Sequence, residues 1–163
     1  MTTSDHAALI QRFYAAFAVL DSETMQACYA TDARFEDPVF DLAGREQIGA
    51  MWRMLCETLR DNGRDGWRLD TSALVCEGNA CRAHWEPHYR FRATGRLVHN
   101  IVDATFTFKD GLIATHRDAF DFWRWSRQAL GTPGVLLGWS PILRNKVRAM
   151  ALAKLAIFTQ RRA

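Results

Sequence analysis

Residues 96–123 have the sequence RLVHNIVDATFTFKDGLIATHRDAFDFW, which predicts two long antiparallel strands. The turn between them, at residues 109–111, contains Asp-Gly, which is one of the stronger local signals for a hairpin. A third strand is predicted just upstream, over residues 81–91. Side chains alternate between the two faces of a strand, so Asp103 places a carboxylate among apolar neighbours in the middle strand. We expect the remainder of the chain to cover one face of this sheet.

Length and composition favour one globular domain. The chain has 163 residues, of which 48% are hydrophobic and 24% are charged, and these are ordinary fractions for such a domain. No apolar run approaches the roughly 20 residues of a membrane span, and the N-terminus lacks the basic and apolar segments of a signal peptide. The four cysteines show no zinc-type spacing, so we expect a reducing, cytoplasmic location. Cys76 and Cys81 can face each other across a Gly78-Asn79 turn, where two thiols are favoured over a disulfide.

The order of the predicted elements indicates an α+β fold. Apolar spacing and capping residues predict helices over residues 4–20, 22–30 and 45–59, with a short strand over residues 34–37. Turns over residues 62–66 then lead into a fourth strand over residues 67–76. Two helices, a short strand, a third helix and then four antiparallel strands favour helices packed on one face of a sheet. After residue 123 the pattern predicts a helix to about residue 130, a Gly- and Pro-rich loop, and a last helix over residues 141–160.

Three motifs resemble those of one superfamily. The segments IQRFYAAF (residues 10–17), RFEDPV (residues 34–39) and GREQI (residues 44–48) are similar to the NTF2-like superfamily. The nearest branches are ketosteroid isomerase, the SnoaL-like polyketide cyclases and limonene-epoxide hydrolase. The resemblance implies a cone, in which three N-terminal helices wrap a curved, mostly antiparallel sheet around a deep apolar pocket. It also implies homodimers formed through the outer face of the sheet.

We divide the chain accordingly. Residues 1–125 form the NTF2-like (SnoaL-like) domain, and residues 126–163 form a C-terminal helical extension of the same domain.

The ketosteroid isomerase resemblance assigns two carboxylates. The general base of that family lies in a Glu-Asp-Pro stretch, which places it at Asp37. Its second Asp, which donates a hydrogen bond to the oxyanion, lies on the strand before the last and corresponds to Asp103. In ketosteroid isomerase, two Asp carboxyl groups in one apolar site have different pKa values. The family's Tyr on the first helix is replaced by Phe13, and Tyr14 lies about 100° further around the helix.

The limonene-epoxide hydrolase resemblance assigns Asp118. That family carries an Arg-Asp-aromatic-Phe-Asp segment on its last strand, and this chain has RDAFD at residues 117–121. The family's Arg-x-Asp partner two strands back corresponds to residues 85–87, where neither the Arg nor the Asp is present. The SnoaL-like cyclases use an Asp base with help from His, which is a looser pattern.

Strand alternation then predicts which side chains share the pocket. If Asp103 faces inward, so do the other odd positions of its strand, and if Asp118 faces inward, so do the even positions of the last strand. Besides the three catalytic candidates Asp37, Asp103 and Asp118, the predicted substrate-binding residues are Phe13, Trp52, Trp85, Tyr89, His99, His116 and Phe120. His84 and His88 would lie about 13 Å apart on one strand face, too far to share an ion. We therefore predict no metal site and no cofactor.

The C-terminal segment has an unusual charge. Residues 122–163 contain eight basic residues and no acidic residue, whereas residues 1–121 contain all 18 acidic residues. The favoured interpretation is a helix that packs its apolar side against the cone or a dimer partner. One alternative is a lid over the pocket, with Trp139 and Leu136-Leu137 as a plug. The other is a surface for anionic lipid or another acidic partner. Nucleic-acid binding is not expected, because the main body is acidic.

Two classes of function remain open. The first is a small-molecule enzyme of the isomerase or cyclase type, in which an Asp moves a proton on an apolar carbonyl or alicyclic substrate. The second is a non-catalytic ligand-binding or dimeric interaction module with a plugged pocket. An epoxide hydrolase is a further alternative.

Overall fold

The computed structural model describes residues 2–62 and 66–161, and these residues form six helices and a seven-stranded sheet. The helices are α1 (Thr3–Ala18), α2 (Ser22–Ala27), α3 (Arg45–Asp61), α4 (Phe122–Leu130), α5 (Thr132–Leu137) and α6 (Pro141–Gln160). The strands are β1 (Tyr29–Glu36), β2 (Asp41–Ala43), β3 (Arg68–Glu77), β4 (Ala80–Arg90), β5 (Leu97–His99), β6 (Val102–Lys109) and β7 (Leu112–Ala119). The α+β class predicted from the sequence is confirmed. Most of the turn predicted over residues 62–66 lies outside the described residues.

The sheet is curved and open, in the order β2-β1-β7-β6-β4-β3, with β5 paired to β4. The pairs β3–β4, β4–β6 and β6–β7 are antiparallel, and β1 runs parallel to β7. The predicted Asp-Gly hairpin therefore joins β6 to β7. Helices α1, α2 and α3 pack against one face of the sheet, as expected for a cone.

Capping groups begin three of the helices. Thr2 and Asp5 form a reciprocal capping box at α1, and Asp21 accepts a hydrogen bond from the backbone N–H of Thr24 at α2. Such side chains satisfy backbone N–H groups that have no partner within the helix. Pro141 stands in the first turn of α6, where its missing N–H is not needed. No helix among the described residues is long and apolar enough to cross a membrane.

The middle strand turns the opposite face inward from the one predicted. Its buried side chains occupy the even positions, namely Val98, Asn100, Val102, Ala104, Phe106 and Phe108. The odd positions, including Asp103 and Thr105, face outward. Because neighbouring side chains on a strand point to opposite faces, a single-residue difference in alignment moves every side chain to the other face. The prediction that Asp103 faces inward was therefore wrong.

Cys76 and Cys81 are bonded to each other. They are direct partners across the β3–β4 hairpin, so their side chains leave the same face of neighbouring strands. The expectation of two thiols was wrong at this pair. The remaining cysteines, Cys28 and Cys56, are free and buried.

Candidate active site

A chain of hydrogen bonds crosses the buried interior from α3 to β7. The Trp52 Nε1–H donates to the Tyr29 hydroxyl oxygen at 3.0 Å, and the Tyr29 oxygen lies 2.6 Å from His116 Nδ1. His116 Nε2 lies 2.9 Å from Asp118 Oδ1, which also accepts a hydrogen bond from Trp85 Nε1 at 3.3 Å. All five side chains are buried. Four elements, α3, β1, β4 and β7, therefore meet in one polar network.

The network is fully paired in one arrangement of protons. If Asp118 is a carboxylate and His116 is neutral, the His116 Nε2–H donates to Asp118. His116 Nδ1 then accepts from the Tyr29 hydroxyl, whose oxygen accepts from Trp52. Each donor has an acceptor, as buried polar groups require. Alternation along β7 explains why His116 and Asp118, two residues apart, share the inner face.

Asp37 lies just beyond the end of β1, next to this network. Its Oδ1 accepts hydrogen bonds from the backbone N–H groups of Val39 and Phe40 at 2.6 and 2.5 Å. Its Oδ2 accepts no hydrogen bond from the described residues. Burial raises the pKa of Asp37 to about 7, the two backbone N–H groups oppose this rise, and the charge of Asp118 adds to it. A carboxyl with such a pKa exchanges a proton near neutral pH.

Tyr14 presents a second polar group that lacks a partner. Its hydroxyl is buried and makes no hydrogen bond with the described residues. Burial, together with the nearby charge of Asp118, holds the pKa of Tyr14 well above its ordinary value. A buried hydroxyl without a partner costs free energy, so such a group calls for an explanation, and one is a ligand.

Aromatic rings surround these polar groups. Phe13 lies edge-on to Trp52 and to His116, with ring centroids 5.5 and 5.6 Å apart. Towards Asp37, the Tyr89 hydroxyl accepts a hydrogen bond from Trp125 Nε1 at 2.8 Å, and burial raises the pKa of Tyr89 to about 12. The site therefore combines an apolar wall with a few convergent polar groups, which is typical of a small-molecule pocket.

Comparison with protein families decides the relationship. The SnoaL-like domain matches residues 10–116 of the 163 residues. The chain is a SnoaL-like protein. It belongs to the SnoaL-like branch of the NTF2-like superfamily, as the sequence motifs suggested. A comparison with curated proteins gave no significant match.

Solved structures share the cone of this SnoaL-like protein. TsrD from Streptomyces laurentii is similar with a TM-score of 0.63 and 24% identity, over 80% of this chain and 98% of TsrD. An LEH-like epoxide hydrolase from M. tuberculosis is similar with a TM-score of 0.61 and 21% identity, over 78% and 90% of the two chains. A putative polyketide cyclase from Xanthomonas campestris gives a TM-score of 0.60 and 20% identity, over 77% and 97%. At these identities the likeness concerns the fold.

Most of the predicted pocket residues do lie together. Those found buried or partly buried in and around the network are Phe13, Asp37, Trp52, Trp85, Tyr89, His116, Asp118 and Phe120. Their catalytic or binding roles stay predictions, whereas their inward placement was correct.

Asp103 and His99 lie elsewhere in the SnoaL-like fold. The Asp103 side chain is 78% exposed and accepts a hydrogen bond from His84 on the outer face of the sheet. His99 Nε2 lies 2.5 Å from Glu86 Oε2 on the same face. Neither side chain reaches the buried network, because β6 and β5 turn their odd positions outward. The pocket placement predicted for these two residues was wrong.

Two members of the site were missed by the sequence analysis. Tyr29 was assigned to the end of the second helix, but it begins β1 and links Trp52 to His116. Tyr14 was set aside because of its position around α1, yet Phe13 and Tyr14 are both buried. The presence of apolar residues at two adjacent positions of α1 was the available signal that this helix is covered on a wide face.

One group of residues on the outer face has the composition of a metal site. Ligand atoms of Glu86, His88 and His99 all lie within 4.8 Å of one another. The His88 and His99 rings are stacked nearly parallel with centroids 4.1 Å apart, so their nitrogen lone pairs do not converge on one point. Arg68 Nη2 also lies 3.0 Å from His88 Nε2, and its positive charge opposes a bound cation. We assign no metal to this group.

The outer position of Asp103 gives a direct test. Replacing Asp103 by Asn should lower the pKa of His84, because hydrogen bonding to the Asp103 carboxylate is the largest cause of the raised pKa of that imidazole. The change should leave ligand binding and turnover unaltered, since the side chain points away from the pocket. An NMR titration of the histidine ring protons measures the first effect. A loss of turnover in Asp103→Asn would return this residue to the active site.

Two cavities open at the surface, outside the buried network. One of about 390 Å³ lies between α1 and β3, and Tyr14 and Ala83 contribute to its wall. The other, of about 440 Å³, lies between α3 and α6, with Lys154 and Phe158 in its wall. Neither of these two cavities is lined by Asp37 or Asp118.

Proposed function

We propose that this SnoaL-like protein is a small-molecule enzyme in which Asp37 moves a proton on an apolar carbonyl or alicyclic substrate. The observation that carries the proposal is the carboxyl of Asp37, because its burial raises the pKa to about 7. At neutral pH such a group is present both as a base and as an acid. Its Oδ1 is held by two backbone N–H groups, which leaves Oδ2 to contact the substrate.

The reaction we propose is an isomerisation or cyclisation through an enolate. Asp37 Oδ2 takes a proton from the carbon next to the substrate carbonyl, and the electron pair moves onto the carbonyl oxygen. In an isomerisation of a β,γ-unsaturated ketone, the protonated Asp37 returns the proton at the γ-carbon while the double bond moves into conjugation with the carbonyl. In an aldol-type cyclisation, the enolate carbon bonds to a second carbonyl carbon of the substrate, and Asp37 gives its proton to the new alkoxide oxygen. In both cases the enzyme ends unchanged. This cycle needs no cofactor.

Tyr14 is the candidate donor for the oxygen of this enolate. Its hydroxyl is buried and unpaired among the described residues, so a ligand oxygen can accept its hydrogen bond without breaking another. Burial is the main cause of the raised pKa of Tyr14 and of Asp37, and the charge of Asp118 adds to both shifts, so the three groups share one electrostatic environment. Tyr14 thus takes the role that the family resemblance gave to Asp103.

Asp118 and His116 act as positioning residues in this proposal. Their hydrogen-bonded pair keeps a negative charge near Asp37, which favours the protonated form of Asp37. An epoxide hydrolase role for Asp118 is less well supported, because its Oδ1 already accepts from His116 and Trp85.

A non-catalytic binding module is the second candidate, and one observation favours it. The rings of Phe13, Tyr29, Phe35 and Phe106 are almost fully buried and fill the centre of the cone. Helix α6 also contributes, since Val147 packs on the buried cluster of Val98, Phe122, Trp125 and Ala129, against which Val39 and Phe120 also pack. A filled interior suits a plugged pocket. Dimerisation through the outer face of the sheet stays a prediction in either case.

A thermal-shift screen with cyclic enones, steroids, terpene epoxides and fatty acids separates the candidates. A ligand at 100 times its dissociation constant adds about 2.7 kcal/mol of stability, which is about 5–10 °C in Tm for a chain of this size. We expect a carbonyl ligand to raise Tm in the wild type and to bind differently in Asp37→Asn. Hits are then assayed for turnover. The plugged module would be favoured if no ligand raised Tm, or if ligands raised Tm equally in the wild type and in Asp37→Asn.

A further inference from the structure

A cluster of exposed apolar side chains lies on α4, α5 and the start of α6. Among the described residues, twelve large hydrophobic side chains are exposed, and six of them fall between residues 123 and 142. We call these six the apolar patch: Trp123, Val135, Leu136, Leu137, Trp139 and Ile142. The most exposed are Leu136 at 63%, Trp139 at 68% and Ile142 at 80%. Clustering of this kind marks an interaction surface.

The apolar patch is held in place by the backbone beneath it. A side chain at Gly134 or Gly138 would collide with Ser126 at about 2 Å, so α5 packs directly on α4. The Trp123 indole N–H donates to the Val135 carbonyl at 3.3 Å, and the Trp139 indole N–H donates to the Leu136 carbonyl at 3.0 Å. Both indole N–H groups are thus satisfied internally, so the rings can enter an apolar medium without leaving a donor unpaired.

Basic side chains border the apolar patch. Arg127 lies over the Trp123 ring at 4.5 Å, and Arg144 lies over the Phe122 ring at 5.4 Å. Lys146 follows on α6 and is exposed. No acidic residue occurs between residues 122 and 163, where eight basic residues are found. The surface is therefore apolar at its centre and positive at its edge.

We infer that this surface docks onto an anionic lipid bilayer. Aromatic and aliphatic side chains that enter the head-group region, bordered by Lys and Arg that contact lipid phosphates, are the recognised chemistry of interfacial binding. A second copy of the chain fits less well, because a symmetric contact through this face would bring two sets of positive charges together. Charge complementarity therefore selects the bilayer as the occupant. The inference does not depend on turnover and stands apart from the proposed function.

The test is co-sedimentation of the full chain with vesicles. One set is phosphatidylcholine alone, and the other contains about 30% phosphatidylglycerol. We expect binding to the anionic vesicles to be at least about ten times tighter, and to weaken as NaCl rises from about 0.05 to 0.5 M. Absence of binding, or equal binding to both vesicle types, would overturn the inference.

Paired variants separate the two parts of the surface. Leu136→Ser with Ile142→Ser should weaken binding by about ten-fold or more, because two side chains that enter the lipid are lost. Arg144→Gln with Lys146→Gln should weaken binding to the anionic vesicles by a similar factor. The matched control is Val19→Ser, which removes a side chain that is 63% exposed outside the apolar patch and should change nothing. Circular dichroism checks that each variant is folded.

A second copy as the occupant would give a different result. In that case Leu136→Ser with Ile142→Ser would convert a dimer to a monomer in size-exclusion chromatography while vesicle binding stayed as in the wild type. That outcome would replace the bilayer by a self-association surface.

Discussion

Replacing Asp37 by Asn is expected to reduce turnover at pH 7 by about 10²–10⁴-fold, the usual contribution of a positioned general base. Asn keeps the shape of the side chain, and its carbonyl oxygen can still accept from the N–H groups of Val39 and Phe40. It cannot take a proton from a substrate. In the wild type, kcat/KM should rise with pH through about 7, as the carboxyl of Asp37 loses its proton. The profile of rate against pH measures this directly.

The same substitution should raise stability above neutral pH. The pKa of Asp37 is raised from 3.8 to about 7 in the folded protein, so the folded state binds a proton that the unfolded state has already released. The contribution of Asp37 to stability is therefore greatest below pH 4 and is lost as pH rises to about 7. Three pKa units correspond to about 4 kcal/mol, which is an upper bound for a partly buried group. Asn does not titrate, so the variant does not lose stability in this way as the pH rises.

Urea unfolding of the wild type and Asp37→Asn between pH 4 and pH 8.5 tests the sign. The two proteins should be nearly equal in stability at pH 4, and the variant should be the more stable at pH 8. Asp41→Asn is the matched control, because Asp41 is an exposed carboxylate four residues away and its loss should give no comparable pH-dependent gain. A difference between wild type and Asp37→Asn that does not change with pH would mean that Asp37 has an ordinary pKa, and the proposed base would be lost with it.

The alternation of apolar and polar residues, taken without the family resemblance, predicts correctly which face of the middle strand is buried. Val102, Ala104, Phe106 and Phe108 are apolar and alternate with residues that are polar. The amphipathic pattern alone therefore turns the even positions inward, as observed. The odd positions were expected to face inward because a family resemblance placed Asp103 in the pocket. The local pattern was the stronger signal, since it records which side chains lose contact with water.

The last strand shows the opposite case. The pattern around residues 112–119 is less clearly alternating, because His116 and Asp118 are polar and yet buried. Here the resemblance to limonene-epoxide hydrolase gave the right face. Polar residues inside a core are where hydrophobic periodicity fails, because their burial is compensated by hydrogen bonds.

Long-range pairing explains why Tyr29 was missed. The spacing of Met25, Cys28 and Tyr29 is helical, so local periodicity extends α2 through Tyr29. In the structure Tyr29 is instead a partner of Ile113 on β7. A parallel pair between residues so far apart in sequence leaves no local signal. The raised pKa of Asp37 was inaccessible for a similar reason, because burial by distant elements causes it.

Removing the hydroxyl of Tyr29 should destabilise the protein by about 2–4 kcal/mol. In Tyr29→Phe the Trp52 N–H and His116 Nδ1 both lose their partner at a buried position. Each buried polar group left unpaired costs about 1–3 kcal/mol. The Phe ring fills the same space as the Tyr ring, so little packing is lost. Urea unfolding at pH 7 measures the change.

The matched change at Tyr14 should have the opposite sign. The Tyr14 hydroxyl has no partner among the described residues, so Tyr14→Phe removes a desolvated group without breaking a hydrogen bond. We expect stability to be unchanged or to rise by about 1 kcal/mol. A loss comparable to that of Tyr29→Phe would show that the Tyr14 hydroxyl is paired in solution, which would remove the argument for its role at the substrate.

The two tyrosines also separate stability from function. If the Tyr14 hydroxyl serves a ligand, Tyr14→Phe should stabilise the free protein and weaken binding of a carbonyl ligand by about ten-fold, the value of one hydrogen bond. A buried polar group retained at a cost in stability is the pattern expected of a functional site. A plugged pocket makes the other prediction, since a hydroxyl that meets no ligand can be removed without any loss of binding. Ligand affinity in Tyr14→Phe therefore distinguishes an active site from a filled core that shares the same fold.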